Sequence, residues 1–454
     1  MWRDEAVTYD MAHRDLSGLW RTLGTADAVH GLYYLVMHGL FAVCSLFGSV
    51  DPLLVLRLPS VVAMAVAAAG VACVGRRLSG ARAGLFAGTV FALLPPVQHF
   101  AQEGRSYAMV CALVVWATYL LARAGAGPCR GSWTGYAALM LAACLLHEFA
   151  VLGLVAHGVA VGRGVRRAWA ARAAAVGAVV APLAVFSQRQ SAQVDWIGTD
   201  VGAYGGALLM CAGGLACAVF LVHGDVASPP PASGEPVSAQ PVRLPRLALA
   251  LLCVPTLALL LISAVKPLYV DRYVLYCVAG LALLVGAALD LVARGGRWGP
   301  AAAGALAAVA LGAHLPAMTE LRTPPSRVDD ATAAARALHE AGRTGDAVVY
   351  MPLRRRVWTL PYPWAADGLR DVALARGPAA SHTLYGTEVR PDVLRARMRA
   401  RTRIVAVADP AGAPVDASPQ EAVKRDVLAR YFVPCRTAYA KGARITLHAR
   451  PGHC

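Results

Sequence analysis

Apolar and polar stretches alternate along this chain at the length of a membrane-crossing helix. Blocks of about 17–23 mainly apolar residues match the hydrocarbon core of a bilayer when they are helical. The alternation predicts about ten transmembrane helices, at residues 54–75, 83–99, 106–123, 134–147, 149–162, 172–187, 203–223, 246–265, 273–293 and 299–317. The fourth and fifth are short, and tilted or re-entrant segments are the alternative there. The pattern indicates a polytopic α-helical membrane protein.

The region before the first block has a different pattern. Residues 1–29 are polar, and residues 30–48 are apolar but interrupted by His30 and His38. We expect residues 30–48 to form a helix that lies in the membrane interface. Residues 1–53 then form the first loop of the membrane domain.

The pattern changes again after residue 317. A helix is predicted to begin at Asp329 or Asp330, since aspartate is a common N-cap. The runs 348–351 and 404–409 are short and apolar and predict buried strands. The sequence therefore predicts two domains, a transmembrane domain at 1–317 and a small soluble α/β domain at 318–454.

Composition and charge exclude two other classes of protein. The chain is 57% hydrophobic and only 15% charged, which excludes a single soluble fold. The net charge of +16 is a feature of nucleic-acid-binding proteins as well. Here the arginines lie in short loops between apolar blocks, without the interleaved aromatic residues on which bases stack. We therefore expect no nucleic-acid partner.

The distribution of arginine predicts the orientation in the membrane. The loops after the first, third, fifth, seventh and ninth predicted helices hold most of the loop arginines. Basic loops stay on the cytoplasmic side. Both chain ends and the alternate loops are then extracytoplasmic, in a multi-pass protein of the plasma membrane and cell envelope. If residues 30–48 also formed a span, the N-terminus would instead be cytoplasmic.

Cysteine usage leaves one alternative open. Most of the eleven cysteines lie inside apolar blocks, where they act as small hydrophobic residues. Cys435 and Cys454 lie in the polar C-terminal part instead. They either stay reduced or form a disulfide, which an extracytoplasmic location permits.

Unusual polar residues collect in the loops predicted to be extracytoplasmic. A charge close to lipid usually faces a cavity or a partner. Each residue alone has a simpler interpretation. The acidic residues could be solvated or ion-paired, the basic residues could be interfacial anchors, and the histidines could be structural. Together they predict one outward-facing site, made by Asp4, Glu5, His30, Glu103, Arg105, Tyr107, His147, Lys266, Tyr269 and Arg272.

The chemistry that fits these side chains is group transfer from a lipid phosphate. A carboxylate near the membrane surface can accept the proton of an attacking hydroxyl. Arginine and lysine can bind a phosphate and stabilise the charge that develops as it leaves.

Five short runs of sequence resemble a known family. They are WRDEAVT (2–8), DAVHGLYY (27–34), LRLPS (56–60), AQEGRSYA (101–108) and DRY (271–273). In this order, over about residues 1–320, the chain resembles the GT-C glycosyltransferases. It is most similar to the branch of the dolichyl-phosphate-mannose protein mannosyltransferases (glycosyltransferase family 39) and the lipid A aminoarabinose transferases. In that family a transmembrane helix precedes the acidic pair, whereas this chain begins at the pair.

The resemblance implies an activity. It implies an inverting hexosyltransferase with a polyprenyl-phosphate sugar as donor, mannose as the expected sugar, and catalysis at the extracytoplasmic face. The acceptor hydroxyl belongs to a protein, a lipid or a glycan.

The resemblance also implies roles for individual residues. Asp4 matches the catalytic base, with Glu5 beside it, and Glu103 matches a second acidic position near the acceptor or a metal. Asp4 and Glu103 are then candidate ligands for Mg²⁺ or Mn²⁺. The positions that match the donor phosphate site are Arg105, Lys266, Tyr269 and Arg272. His30, Tyr107 and His147 are expected near the substrate, although Gly31 and Leu32 replace the prolines that follow the family's histidine.

Two other functions compete with this interpretation. One is a transporter or flippase of a lipid-linked saccharide, a class that often shows internal repeats and charges near the membrane midplane. This sequence has no convincing repeat, and its charges collect at one face. The other is a membrane scaffold that displays residues 318–454, for which ten helices exceed the need.

Overall fold

The computed structural model describes residues 1–48, 50–124, 130–190, 198, 200–226, 242–323 and 326–454. The helices up to residue 320 are α1 (Arg3–Ala12), α2 (Leu16–Leu23), α3 (Gly31–Ser45), α4 (Pro52–Ser79), α5 (Ala81–Leu93), α6 (Pro95–Ala101), α7 (Tyr107–Ala124), α8 (Arg130–Leu146), α9 (Val151–Ala160), α10 (Arg163–Gln188), α11 (Val201–Val226), α12 (Leu244–Ser263), α13 (Val278–Ala293) and α14 (Gly299–Glu320). Each predicted transmembrane block overlaps one of these helices or one pair of them.

The long helices confirm a polytopic membrane fold. Among the described residues, eight helices are long and apolar enough to cross a membrane, and α5 with α6 raises the number to nine. These two helices bend by 60° at Leu94, where Pro95 and Pro96 remove two backbone donors. The helix predicted to lie in the interface is α3, which together with the 3₁₀ turn before it (Ala28–His30) has the length and apolar character of a span. The two short predicted helices are short in the structure too, as α8 and α9.

The C-terminal segment, Glu320–Cys454, contains a mixed sheet. Its strands are β1 (Ala347–Met351), β2 (Arg370–Asp371), β3 (Leu374–Arg376), β4 (Thr387–Glu388), β5 (Arg403–Ala408), β6 (Val433–Ala440) and β7 (Ala443–Ala449), and its helices are α15 (Ala331–Ala341), α16 (Pro378–Ser381), α17 (Pro391–Arg399) and α18 (Pro419–Tyr431). The five-stranded sheet has the order β2-β1-β5-β7-β6, in which β1 is parallel to β2 and β5. The α/β class is as the sequence predicts.

The two predicted strands form the centre of this sheet. They are β1 and β5, and both are almost entirely buried. Val349 and Ile404 pack there with Leu394, Met398 and Val427 from the flanking helices. A run of four or more apolar residues is expected where both faces of a strand are covered.

The sequence pattern missed the β6–β7 hairpin. Its strands are antiparallel, and β6 is mostly exposed and mixes polar with apolar residues. The turn has Gly442 at φ +79°, a conformation that glycine adopts without strain. Cys435 on β6 forms a disulfide with Cys454, which resolves the cysteine alternative left open above.

The chain divides into two compact units. The N/C unit consists of Met1–Asp27, Tyr34–Leu56 and Glu320–Cys454, and the helical unit consists of Ala28–Tyr33 and Arg57–Thr319. The first residues of the chain thus fold with the last ones. The predicted domain boundary after residue 317 stays a prediction.

Candidate functional site

In the helical unit, the loop between α6 and α7 carries the acidic and basic residues predicted from the fourth motif. Ser60 on α4 holds this loop, because its hydroxyl donates to the backbone oxygen of Glu103 at 2.6 Å and to that of Arg105 at 3.3 Å. Ser60 is fully buried, so these bonds are shielded from water. The serine of the LRLPS run therefore fixes the backbone of the AQEGRSYA run.

Arg105 and His30 form the centre of the site. Their side chains are buried, and Nη2 of Arg105 lies 3.1 Å from Nε2 of His30. Glu103 is also buried, and its Oε1 lies 3.1 Å from Nε2 of His99, one turn earlier on α6. Sequence reasoning missed His99, although its spacing of four residues from Glu103 on a helix is a usable signal.

An aromatic group surrounds His147. Its ring lies 5.7 Å from the ring of His30, 5.5 Å from that of Tyr107 and 4.8 Å from that of Tyr273, between centroids. The guanidinium carbon of Arg272 lies 5.7 Å from the Tyr107 ring centroid and 5.8 Å from that of Tyr273, which is cation–π range. We call these residues the Arg105 cluster, which comprises His30, Arg105, Tyr107, His147, Arg272 and Tyr273.

Tyr269 and Lys266 lie in the loop after α12. Tyr269 is buried, and its ring contacts that of Tyr204 edge-on, with 5.5 Å between centroids. Burial raises the pKa of the Tyr269 phenol, so the hydroxyl stays protonated. Lys266 is half-buried. The predicted role of both residues at the donor phosphate stays a prediction.

In the N/C unit, the acidic pair lies in the first turn of α1, and its two members are in different environments. Glu5 is fully buried, and its Oε2 accepts a hydrogen bond from the backbone N–H of Trp2 at 3.2 Å. This is the bond that the glutamate of a capping box makes. The side chain of Asp4 is 18% exposed, and its Oδ1 lies 3.4 Å from Nε of Arg3. Of the two, Asp4 is therefore the more accessible residue, and the catalytic role predicted for both stays a prediction.

Tyr385 is a neighbour of Asp4 that sequence reasoning missed. It lies in the C-terminal segment, and its backbone oxygen accepts from Nη1 of Arg356 at 2.6 Å. Burial raises the pKa of the Tyr385 phenol, the Arg3 guanidinium opposes this shift, and the carboxylates of Asp4 and Asp27 reinforce it. The Tyr385 phenol therefore shares one electrostatic environment with Arg3 and Asp4.

The sequence also offers Asp4 and Glu103 as candidate ligands of a metal ion. Among the side chains that the structure describes, no group of three or more histidine, cysteine, aspartate or glutamate residues is arranged to hold one. Two carboxylates with a substrate phosphate are enough for Mg²⁺, so the Mg²⁺ or Mn²⁺ site stays a prediction. The chemistry below uses only the side chains of this chain.

The fold is shared with a solved membrane protein. The chain is similar to ArnT from Cupriavidus metallidurans bound to undecaprenyl phosphate, over 96% of this chain and 88% of that one, with a TM-score of 0.51 and 16% identity. The apo structure of the same ArnT matches 86% of this chain and 83% of that one, with a TM-score of 0.49 and 14% identity. No protein-family model and no curated protein matches the sequence. The predicted polytopic helical membrane fold with a small C-terminal α/β part, which this chain shares with ArnT, is thus confirmed.

Proposed function

We propose that this protein is a membrane glycosyltransferase that moves a sugar from a polyprenyl-phosphate donor to an acceptor hydroxyl. The observation that carries the proposal is the Arg105 cluster, a group of cations and aromatic rings in a membrane fold, of which all members but the half-buried Arg272 are buried. ArnT, which shares this fold, was solved with undecaprenyl phosphate bound. A polyprenyl phosphate is accordingly the donor class that we propose here.

The chemistry of the Arg105 cluster suits a lipid phosphate. His30 accepts a hydrogen bond from Arg105. Arg272 lies within cation–π range of the rings of Tyr107 and Tyr273. In a buried setting such cations attract a phosphate more strongly than they would in water. We assign the donor phosphate to Arg105 and Arg272.

The transfer step requires a base, and we assign it to Asp4. The acceptor hydroxyl attacks the anomeric carbon from the side opposite the phosphate, so the configuration inverts. As the new C–O bond forms, the hydroxyl proton passes to the Asp4 carboxylate. The bond from the anomeric carbon to the phosphate oxygen breaks, and its electron pair leaves with the polyprenyl phosphate. Arg105 and Arg272 stabilise that charge.

Two observations support catalysis at the extracytoplasmic face. The disulfide between Cys435 and Cys454 lies in the N/C unit, together with Asp4. Disulfides persist in oxidising compartments outside the cytosol. The distribution of arginine in the loops predicts that both chain ends lie on that side.

The shared fold does not identify the sugar or the acceptor. The sequence predicts mannose, whereas the solved neighbours are ArnT, an aminoarabinose transferase. At 16% identity the shared fold favours neither sugar. The acceptor is proposed only as a hydroxyl of a protein, a lipid or a glycan of the cell envelope.

The first test is transfer by the full chain in membranes, with a panel of radiolabelled polyprenyl-phosphate sugars that includes mannose and aminoarabinose. We expect one donor to lose its label to a membrane or envelope acceptor. Asp4→Asn should lower kcat by about a hundredfold or more, because the amide cannot accept the proton. The exposed Asp15, in the same unit, gives the matched control Asp15→Asn, which should keep full turnover.

Two outcomes contradict the proposal. Full turnover by Asp4→Asn removes Asp4 from the role of base. Movement of labelled lipid across reconstituted vesicles, with the sugar still attached, supports a flippase instead.

A further inference from the structure

Two adjacent aspartates at the start of α15 cap two different helices. Oδ1 of Asp330 accepts from the backbone N–H of Ala333 at 2.9 Å, so Asp330 is the N-cap of α15 itself. Oδ1 of Asp329 accepts from the backbone N–H of Arg3 at 2.7 Å. Arg3 is the first residue of α1. The sequence left open which aspartate begins α15. In the structure, Asp330 caps α15 and Asp329 caps α1.

Helix α1 depends on a cap from elsewhere in the chain. The first four N–H groups of a helix have no partner within it. The residue at the N-cap position is Trp2, whose indole has a donor but no acceptor. Glu5 binds the N–H of Trp2, and the next N–H, that of Arg3, is bound by Asp329. Asp329 is buried, so water does not replace it easily.

Further hydrogen bonds join the same two parts of the N/C unit. The N–H of Ala331 donates to the backbone oxygen of Met1 at 3.0 Å. Nη2 of Arg14 donates to the backbone oxygen of Thr383 at 2.8 Å, and the Thr25 hydroxyl donates to that of His382 at 2.6 Å. Residues near both ends of Met1–Asp27 therefore bond to the C-terminal segment.

We propose that the C-terminal segment positions the catalytic base, and that Asp329 is its positioning residue. The capped N–H belongs to Arg3, which directly precedes Asp4 along α1. Loss of the cap releases the first turn, and the Asp4 carboxylate moves with it. A displacement of about 1 Å at a reacting group can cost about a hundredfold in rate. This inference rests on the proposed function, since it takes Asp4 as the base.

The capping half of the proposal is tested without any substrate. Hydrogen exchange of the full chain is followed by mass spectrometry in peptides from α1 and from α15. Asp329→Ala should speed exchange in the first turn of α1 by about fivefold, the size expected for one lost cap. Asp330→Ala is the matched control, which should speed exchange in α15 and leave α1 unchanged.

The positioning half is tested by kinetics with the donor identified above. Asp329→Ala should lower kcat by about tenfold or more, while KM for the donor changes by less than about twofold, because Asp329 holds no donor group. Asp329→Asn keeps an oxygen acceptor at Oδ1 and should restore most of kcat. Asp330→Ala should keep kcat within about twofold of the parent protein.

The outcomes separate this inference from the proposed function. Unchanged exchange in α1 of Asp329→Ala overturns the cap, whatever the enzyme does. Equal losses of kcat in Asp329→Ala and Asp330→Ala reduce the role of Asp329 to general stability of the segment, which also overturns positioning. Absence of transfer in the parent protein, or full turnover by Asp4→Asn, counts against the proposed function and leaves the exchange result as evidence on the cap.

Discussion

The two units of the molecule bury positive charge in different ways. In the C-terminal segment, Nζ of Lys424 lies 2.8 Å from Oε1 of Glu388, and Nε of Arg356 lies 2.7 Å from Oδ2 of Asp371. These cations are therefore paired with carboxylates. In the helical unit, Arg105 bonds to a histidine, and Arg272 lies over two tyrosine rings.

These contacts distinguish cations that stabilise a fold from cations that are suited to binding a ligand. A carboxylate beside a buried cation neutralises it, and the pair then contributes to a unique packing arrangement. A histidine or a phenol ring orients a cation without placing a negative charge beside it. On this comparison, Lys424 and Arg356 hold the C-terminal segment together, and Arg105 and Arg272 are the cations that we propose for the donor phosphate.

Substitution of Lys424 should have the largest effect, on the stability of the C-terminal segment. Its side chain is 1% exposed and also donates to the backbone oxygen of Tyr350 at 2.7 Å. Lys424→Met leaves the carboxylate of Glu388 buried without this partner and should destabilise the C-terminal segment by about 3 kcal/mol. The measurement is the loss of hydrogen-exchange protection in β1 and β5, in the full chain.

A neighbouring residue provides the control for that change. Nη2 of Arg425 lies 3.1 Å from Oε1 of Glu421, but the arginine side chain is 43% exposed. Arg425→Gln should therefore cost less than about 1 kcal/mol. Equal costs for the two substitutions would show that the buried pairs do not hold the segment together.

The next expected effect is on transfer. Arg105→Gln removes the positive charge at the centre of the Arg105 cluster and should lower kcat/KM by about a hundredfold, the usual cost of losing a group that stabilises developing charge. The protein should still fold, because a neutral side chain is easier to bury than a cation. Transfer and thermal unfolding are measured on the same purified samples.

Arg77→Gln is the control for Arg105→Gln. Arg77 also lies in the helical unit, is exposed, and donates from Nε to the backbone oxygen of Ala122 at 3.2 Å. Its loss should leave transfer unchanged. A result in which Arg105→Gln unfolds the protein but folded molecules keep their turnover would move Arg105 into the structural class.

The smallest expected effect concerns pH. Burial lowers the pKa of His448 on β7, and the nearby Arg444 adds to the shift. The unfolded chain then binds a proton at about pH 6.5 that the folded chain does not, so stability falls as the pH drops below that value. At pH 5.5, protection of β7 should fall by up to about tenfold in the parent protein and less in His448→Gln. The same fall in both would exclude His448 as the cause.

Much of the fold follows from simple periodicity. The long helices are predictable because a bilayer demands a fixed apolar length, and β1 and β5 because both of their faces are covered. The β6–β7 hairpin was missed because an exposed edge strand has no such requirement. Its sequence mixes residues such as Arg436 and Tyr439 with short apolar ones.

The candidate site was predictable in part. His30, Arg105, Tyr107, His147 and Arg272 come from distant parts of the sequence, and the structure brings them together in the helical unit. The neighbours of α1 were not predictable, since Tyr385 and Asp329 stand in no sequence pattern that points to this helix. Contacts of this kind depend on tertiary packing and leave no local signal.

The hydrogen bond between Arg3 and Asp329 also fixes an order of events during synthesis. The two residues are 326 positions apart, so the ribosome makes the whole helical unit between them. At the usual rate of about 5–20 residues per second, the first helix waits roughly 15–65 s for its cap. The earliest part of the polypeptide is thus among the last to acquire its final environment. If synthesis stops before residue 329, α1 remains without its cap.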